Sequence, residues 1–200
     1  YQAGVYEALI EHGIRPTWVA GISIGAINSA IIAGNDADCI AKLRSFWELV
    51  SDAGDGGFGN FWSGLLSGDV ARGFVNQLAA GQIMSQGVPG FFAPRFPPPY
   101  LSLNGSRAAT SWYDTKPLRA TLERFVDFDR INAKATRFSV GAVNVRTGNF
   151  AYFDNATDTI RPEHIMASGA LPPAFPAVEI DGEFYWDGGM VSNTPLDWVL

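Results

Sequence analysis

Ionisable side chains are scarce in this chain: of 200 residues only 17% are charged, two are histidine and one is cysteine. Each shortage removes a class of function. A lone cysteine, Cys39, excludes an internal disulfide framework and suits a reducing compartment, so a cytoplasmic location is expected. In DADCIAKLRSFWELV it falls in helical register with Leu43, Phe46 and Trp47, which reads as a buried small hydrophobe rather than a nucleophile. The 14 Lys and Arg against 20 Asp and Glu leave a formal net charge of -6. No basic cluster of the kind that grips a phosphate backbone is present, which argues against nucleic acid as a partner. No stretch approaches the roughly 18 consecutive apolar residues of a spanning helix, so any membrane contact is expected to be peripheral.

What is present is a globular composition, 47% hydrophobic, in a length that fits a single core. Residues 1–200 are therefore expected to form one domain. The chain opens at Tyr1 and closes in TPLDWVL, which reads as an unfinished helix, so a fragment truncated at both ends is expected. YQAGVYEALIEHG has helical spacing with Gly13 as its stop, PTWVAGIS is short and apolar like a buried strand, and IGAINSAIIAGN returns to helix. A second amphipathic helix is expected over 38–50. Residues 51–111 then change to glycine, proline and scattered aromatics, an insertion or lid region in which the prolines of FFAPRFPPPY favour extended backbone. DTKPLRATLERFVD predicts a helix with Asp114 or Thr115 as N-cap and Pro117 in its first turn. TRFSVGAVNV and FAYFD predict strands joined by a turn at 146–149, RPEHIMASG a short helix, and GEFYW a last strand. The alternation implies a layered α/β fold, three layers α/β/α with a largely parallel central sheet.

The chemistry centres on GISIGAIN, residues 21–28, where Ser23 stands at a strand-to-helix turn. Such a turn exposes the hydroxyl, and Gly21 and Gly25 remove side chains that would collide as strand and helix cross. The following helix offers free N–H groups to a developing oxyanion, with the Ile24 amide as natural donor. A serine hydroxyl needs a base. His12 precedes Ser23 at the end of the first helix and reads as an exposed imidazole, while His164 lies in the first turn of a short helix and stays as an alternative base. Asp187 is preferred: FYWDGGMVSNTP places it where an aromatic strand ends, and strand ends in open α/β sheets are where sites gather. Desolvation in a cleft would raise its pKa and make it a better base. A second Asp-Gly-Gly, at Asp55, has no strand before it and reads as solvated turn chemistry. No Lys follows it, which argues against a phosphate-binding loop.

These residues resemble the patatin-like phospholipase family. GISIGAIN is similar to its Gly-x-Ser-x-Gly elbow, and Asp187, Gly188 and Gly189 to its Asp-Gly-Gly motif. ASGALPPAFPAVEIDGEFYWDGG and YQAGVYEALIEHGI resemble two further blocks, so the likeness covers roughly residues 1–50 and 114–200. The resemblance implies a lipid acyl hydrolase of phospholipase A or esterase type with a Ser23/Asp187 dyad, an acyl-enzyme, and neither metal nor organic cofactor. The family's glycine-rich oxyanion loop would precede this chain, and weak or absent activity is expected without it. Aromatics of the insertion, Phe58, Phe61, Trp62, Phe91 and Phe92, are candidates for an acyl groove or for plain core. ALPPAFP would form a wall beside the site, and Asn193 would orient the Asp187 loop. Two rival readings are carried forward: a Ser/His hydrolase or acyltransferase using His164, and a binding module with this fold and no turnover.

Overall fold

The computed structural model describes residues 1–51 and 83–199. In chain order these form α1 (Gln2–Glu11), β1 (Trp18–Gly21), α2 (Ile24–Ala33), α3 (Cys39–Ser51), β2 (Ala93–Pro94), β3 (Tyr113–Asp114), α4 (Lys116–Phe125), α5 (Phe128–Asn132), β4 (Arg137–Asn144), β5 (Phe150–Asp154), α6 (Pro162–Ser168), β6 (Val178–Ile180), β7 (Glu183–Asp187) and α7 (Leu196–Val199). The layered α/β class holds, and every strand and helix expected between residues 114 and 187 is present. Two short elements, α5 and β6, had no sequence signal because neither is long enough to show a period.

The sheet is mixed among the described residues. β1 pairs parallel to β4, while β5 and β7 pair antiparallel to β4 and β6 antiparallel to β7. Register explains how this is possible. β5 occupies one edge of β4 from Ser139 to Val143, which leaves the other edge to two strands: β1 along residues 137–140 and β7 along residues 142–144. β1 and β7 therefore run toward each other on one edge and meet head-on at Gly141. A Cβ at Gly141 would lie 2.5 Å from the Phe150 ring, so a side chain where the strands converge would have to displace that ring.

β4 is buried from Phe138 onward, as a central strand should be. α2 is nearly all small and apolar, and Ala26, Ala30, Ile31 and Ala33 are fully shielded from solvent. α3 is amphipathic, burying Cys39, Leu43, Phe46 and Val50. Cys39 is the buried hydrophobe its spacing predicts, and burial pushes its thiol pKa up to about 11. The hairpin turn at 146–149 is held by the Asn144 side chain, which accepts from the N–H groups of Arg146 and Thr147, and by Gly148 at φ 71. From the region expected to be an insertion, Ile83, Val88, Phe91 and Phe92 join the main core. Phe58, Phe61, Trp62 and Asp55 lie outside the described residues. No helix among the described residues is long and apolar enough to cross a membrane.

Candidate active site

Ser23 caps the start of α2 with φ 55 and ψ -124, a positive-φ conformation that costs about 1 kcal/mol or more for a residue with a Cβ. Surrounding contacts hold it there. Its N–H donates to Ser168 Oγ at 2.9 Å, and Ser168 Oγ donates in turn to the Gly141 carbonyl at 2.6 Å. The serine that ends α6 thus ties the turn to the point where β1 and β7 converge. Ser168 is wholly buried. It is the residue missed by sequence reasoning, because its partners are 145 and 27 residues away.

The two glycines of the turn are not equivalent. A Cβ at Gly21 would stand 2.2 Å from the Gly25 carbonyl oxygen, so no side chain fits. At Gly25 the nearest atom is Gln2 Nε2 at 3.7 Å, an ordinary contact. The expected collision applies to Gly21 alone. Gly188 is tight for another reason, since a Cβ there would approach the Gly141 oxygen to 2.8 Å.

The convergence of β1 and β7 brings Ser23 and Asp187 together across 164 residues, with Ser23 Oγ donating to Asp187 Oδ2 at 2.7 Å. The other carboxylate oxygen accepts from the Gly189 N–H at 2.7 Å, which gives the second glycine of the motif its task. Asn193 lies against Gly189, while the carboxylate is oriented by that backbone amide. Asp187 is 3% exposed, and burial raises its pKa above the usual carboxylate value although both hydrogen bonds pull the other way. Around the turn, Gly25 N–H donates to Ile22 O, Ala26 N–H to Ser23 O, and Ser23 N–H to Ser168. Ile24 opens α2, where an amide has no intrahelical acceptor, and Ile24 lines the adjoining cavity.

That cavity has a volume of about 590 Å³ and contains Ser23 and Asp187 at its polar end. Its walls are apolar: Ile27, Ile83, Phe91, Phe92 and Phe175 among them, with no charged residue besides Asp187 among the described residues. Leu171, Pro173, Ala174 and Phe175 come from ALPPAFP, so that segment does form a wall. It is fixed there by Trp112 N–H to the Pro173 carbonyl and Tyr113 N–H to the Ala174 carbonyl. Phe91 and Phe92 are both core and cavity wall.

His164 is placed elsewhere. Its Nδ1 accepts from the Arg161 N–H at 2.9 Å, capping α6, and its ring meets Phe153 edge-on at 4.6 Å. It is 3% exposed, does not line the cavity, and burial lowers its pKa. His12 is exposed and bonds the Ala8 carbonyl. Among the described residues no cluster of three or more His, Cys, Asp or Glu could hold a metal ion.

Comparison with known proteins identifies the family. The family model described as patatin-like phospholipase matches residues 1–200. Among solved structures the chain is similar to VipD from Legionella pneumophila, at 18% identity and a TM-score of 0.49, over 97% of this chain and 44% of that one. The chain thus spans less than half the length of that protein. No curated protein matches. Matched from end to end by one family model, the chain belongs to the patatin-like phospholipases, a family of lipid acyl hydrolases.

Proposed function

We propose that this protein hydrolyses a carboxylic ester of a lipid through a Ser23/Asp187 dyad. The observation that carries the reading is the 2.7 Å hydrogen bond from Ser23 Oγ to a buried carboxylate, unpaired with any cation among the described residues, in an apolar cavity. Asp187 accepts the hydroxyl proton as Ser23 Oγ bonds to the ester carbonyl carbon. The negative charge that builds on the carbonyl oxygen is met by the Ile24 N–H and the positive end of α2. Collapse of the tetrahedral intermediate breaks the ester C–O bond, the alcohol leaves with the proton from Asp187, and the acyl group stays on Ser23. Water then attacks the acyl-enzyme with Asp187 again taking the proton, the bond from Ser23 Oγ to the acyl carbon breaks as Asp187 returns that proton to Ser23 Oγ, and the fatty acid departs. The raised pKa of Asp187 makes it a stronger base than an exposed carboxylate. The apolar walls favour an acyl chain, and the volume lies within the roughly 300–1,000 Å³ range of small-molecule sites.

The test is hydrolysis of a water-soluble short-chain nitrophenyl ester by the protein and three variants. Ser23→Ala and Asp187→Asn are expected to lose about 10⁴-fold or more in kcat, while His164→Gln, which keeps an acceptor for the Arg161 N–H, retains activity. Full turnover by Asp187→Asn would remove the dyad, and loss of turnover in a folded His164→Gln would bring back the histidine mechanism.

A further inference from the structure

Between β2 and β3 the chain leaves the core as a loop of 18 residues, Arg95 to Trp112. Its neck is closed. Ala93 pairs with Asp114 and Pro94 with Tyr113, and the Arg95 N–H donates to the Trp112 carbonyl. The Arg95 guanidinium spans the opening to Ser111 Oγ at 2.9 Å and the Tyr113 carbonyl at 3.1 Å. Three consecutive prolines, Pro97 to Pro99, lead into a 3₁₀ turn at Pro99–Leu101, and each fixes φ. The loop therefore projects with a set backbone.

What it projects is apolar. Phe96 is 95% exposed, Leu103 83%, Tyr100 73% and Leu101 68%. Scattered exposed apolar residues need no explanation, but four large ones on one stiff loop do. The Tyr100 ring lies 6.5 Å from that of Trp112, and Trp112 is at once half exposed and part of the cavity wall. Met84 and Leu171, also exposed, share that wall. The patch is thus continuous with the mouth of the cavity. From residue 95 to 113 there is no Asp or Glu, in a chain carrying 20 of them, so the loop carries none of the acidic charge of the protein.

We propose that the 95–112 loop is a docking wedge that enters the surface of a lipid aggregate and sets the cavity mouth at that surface. This rests on the lipid hydrolase reading above and names where such an enzyme meets its substrate. A lipid surface fits better than a protein partner for three reasons on this face. The residues that form the exposed apolar patch, Phe96, Tyr100, Leu101 and Leu103, carry no charge, the loop has no carboxylate, and Arg95 is spent on the neck. Phe96 and Leu103 are the most exposed apolar residues of the loop, while the Tyr100 ring lies near that of Trp112, which lines the cavity, a mixture of apolar and amphipathic aromatic side chains suited to a membrane interface. The mouth itself opens into walls suited to an acyl chain.

The experiment is co-sedimentation of the Ser23→Ala protein with phosphatidylcholine vesicles, comparing it with the same protein carrying Phe96→Glu and Leu103→Glu. Partitioning is expected to fall about 100-fold on replacing two exposed apolar side chains with charge, while the double variant with Ser23 intact hydrolyses the soluble ester at the parental rate. A fluorophore on Leu103→Cys, the native Cys39 being buried, is expected to shift to the blue on vesicles, a readout independent of the double variant. Equal partitioning of parent and double variant, or no blue shift on vesicles that bind the protein, would overturn the proposal. So would a dimer in sedimentation velocity that the double variant abolishes, since the occupant would then be a second copy. Failure of the hydrolase reading is distinguishable: it appears as vesicle binding without ester hydrolysis.

Discussion

Asp154 and Asp187 each end a strand of the same sheet and each is 3% exposed, yet they are driven in opposite directions. Asp154 accepts from Ser139 Oγ at 2.7 Å, the Ala156 N–H at 2.8 Å and the Arg137 guanidinium at 3.0 Å. Burial works to raise its pKa, but these donors together hold it below the usual carboxylate value. Among the described residues Asp187 has two donors, Ser23 and Gly189, and no cation, and burial wins. A buried carboxylate surrounded by donors is a structural strut. One left short of donors beside a hydroxyl is a base.

The comparison is broken most severely at Asp187. Asp187→Asn is expected to lower kcat about 10⁴-fold while its melting temperature holds or rises, because a carboxylate that the fold destabilises has been removed; activity and calorimetry on one preparation read both. Asp154→Asn is expected to do the reverse. It leaves the Arg137 guanidinium without its countercharge and costs about 2–4 kcal/mol of stability, visible in urea unfolding, with turnover per folded molecule unchanged.

A third substitution sharpens the role of the tether. Ser168→Ala leaves the Ser23 N–H and the Gly141 carbonyl without their partner, at a cost of about 1–3 kcal/mol. A fall of about tenfold in kcat with KM unchanged is expected from a loosened turn, and a change in KM alone would place Ser168 in substrate binding instead.

The smallest effect is on stability against pH, and the two aspartates contribute with opposite sign. In the window above the unfolded-state value, about 4, folded Asp187 still holds a proton that the unfolded chain has lost, so its contribution falls as pH rises through that window. Asp154 ionises more readily folded than unfolded. Its contribution is complete above the unfolded value and is lost as pH falls through the lowered folded one. Urea titrations of the parent and the two Asn variants across pH 3 to 6, roughly the span of perturbed carboxylates, separate the slopes.

How much of this was legible beforehand follows from the range of each signal. Ser23 and Asp187 were readable because each sits in a local pattern, a glycine-flanked turn and a strand end before two glycines. Their meeting was only an expectation, since it depends on β1 and β7 sharing one edge of β4, a register that no local pattern encodes. The same cause made the sheet mixed where helix–strand alternation suggested largely parallel pairing. Gly25 looked equivalent to Gly21 in sequence, but only Gly21 faces the helix backbone. Ser168 gave no signal, because its two partners come from distant elements. The cavity walls from Ile83 to Tyr113 were hidden in a stretch whose glycines and prolines break both helical and strand periodicity.

The central claim is that Asp187, rather than a histidine, activates Ser23. Its most direct test is the rate at which a fluorophosphonate labels Ser23, followed by intact mass and peptide mapping as a function of pH, in the parent and in Asp187→Asn. The expected rate in the parent rises through a single ionisation above the usual carboxylate value, and the expected profile in Asp187→Asn is slow and flat. A parental profile preserved in Asp187→Asn, or one that follows a group near the usual histidine value and vanishes in His164→Gln, would contradict it.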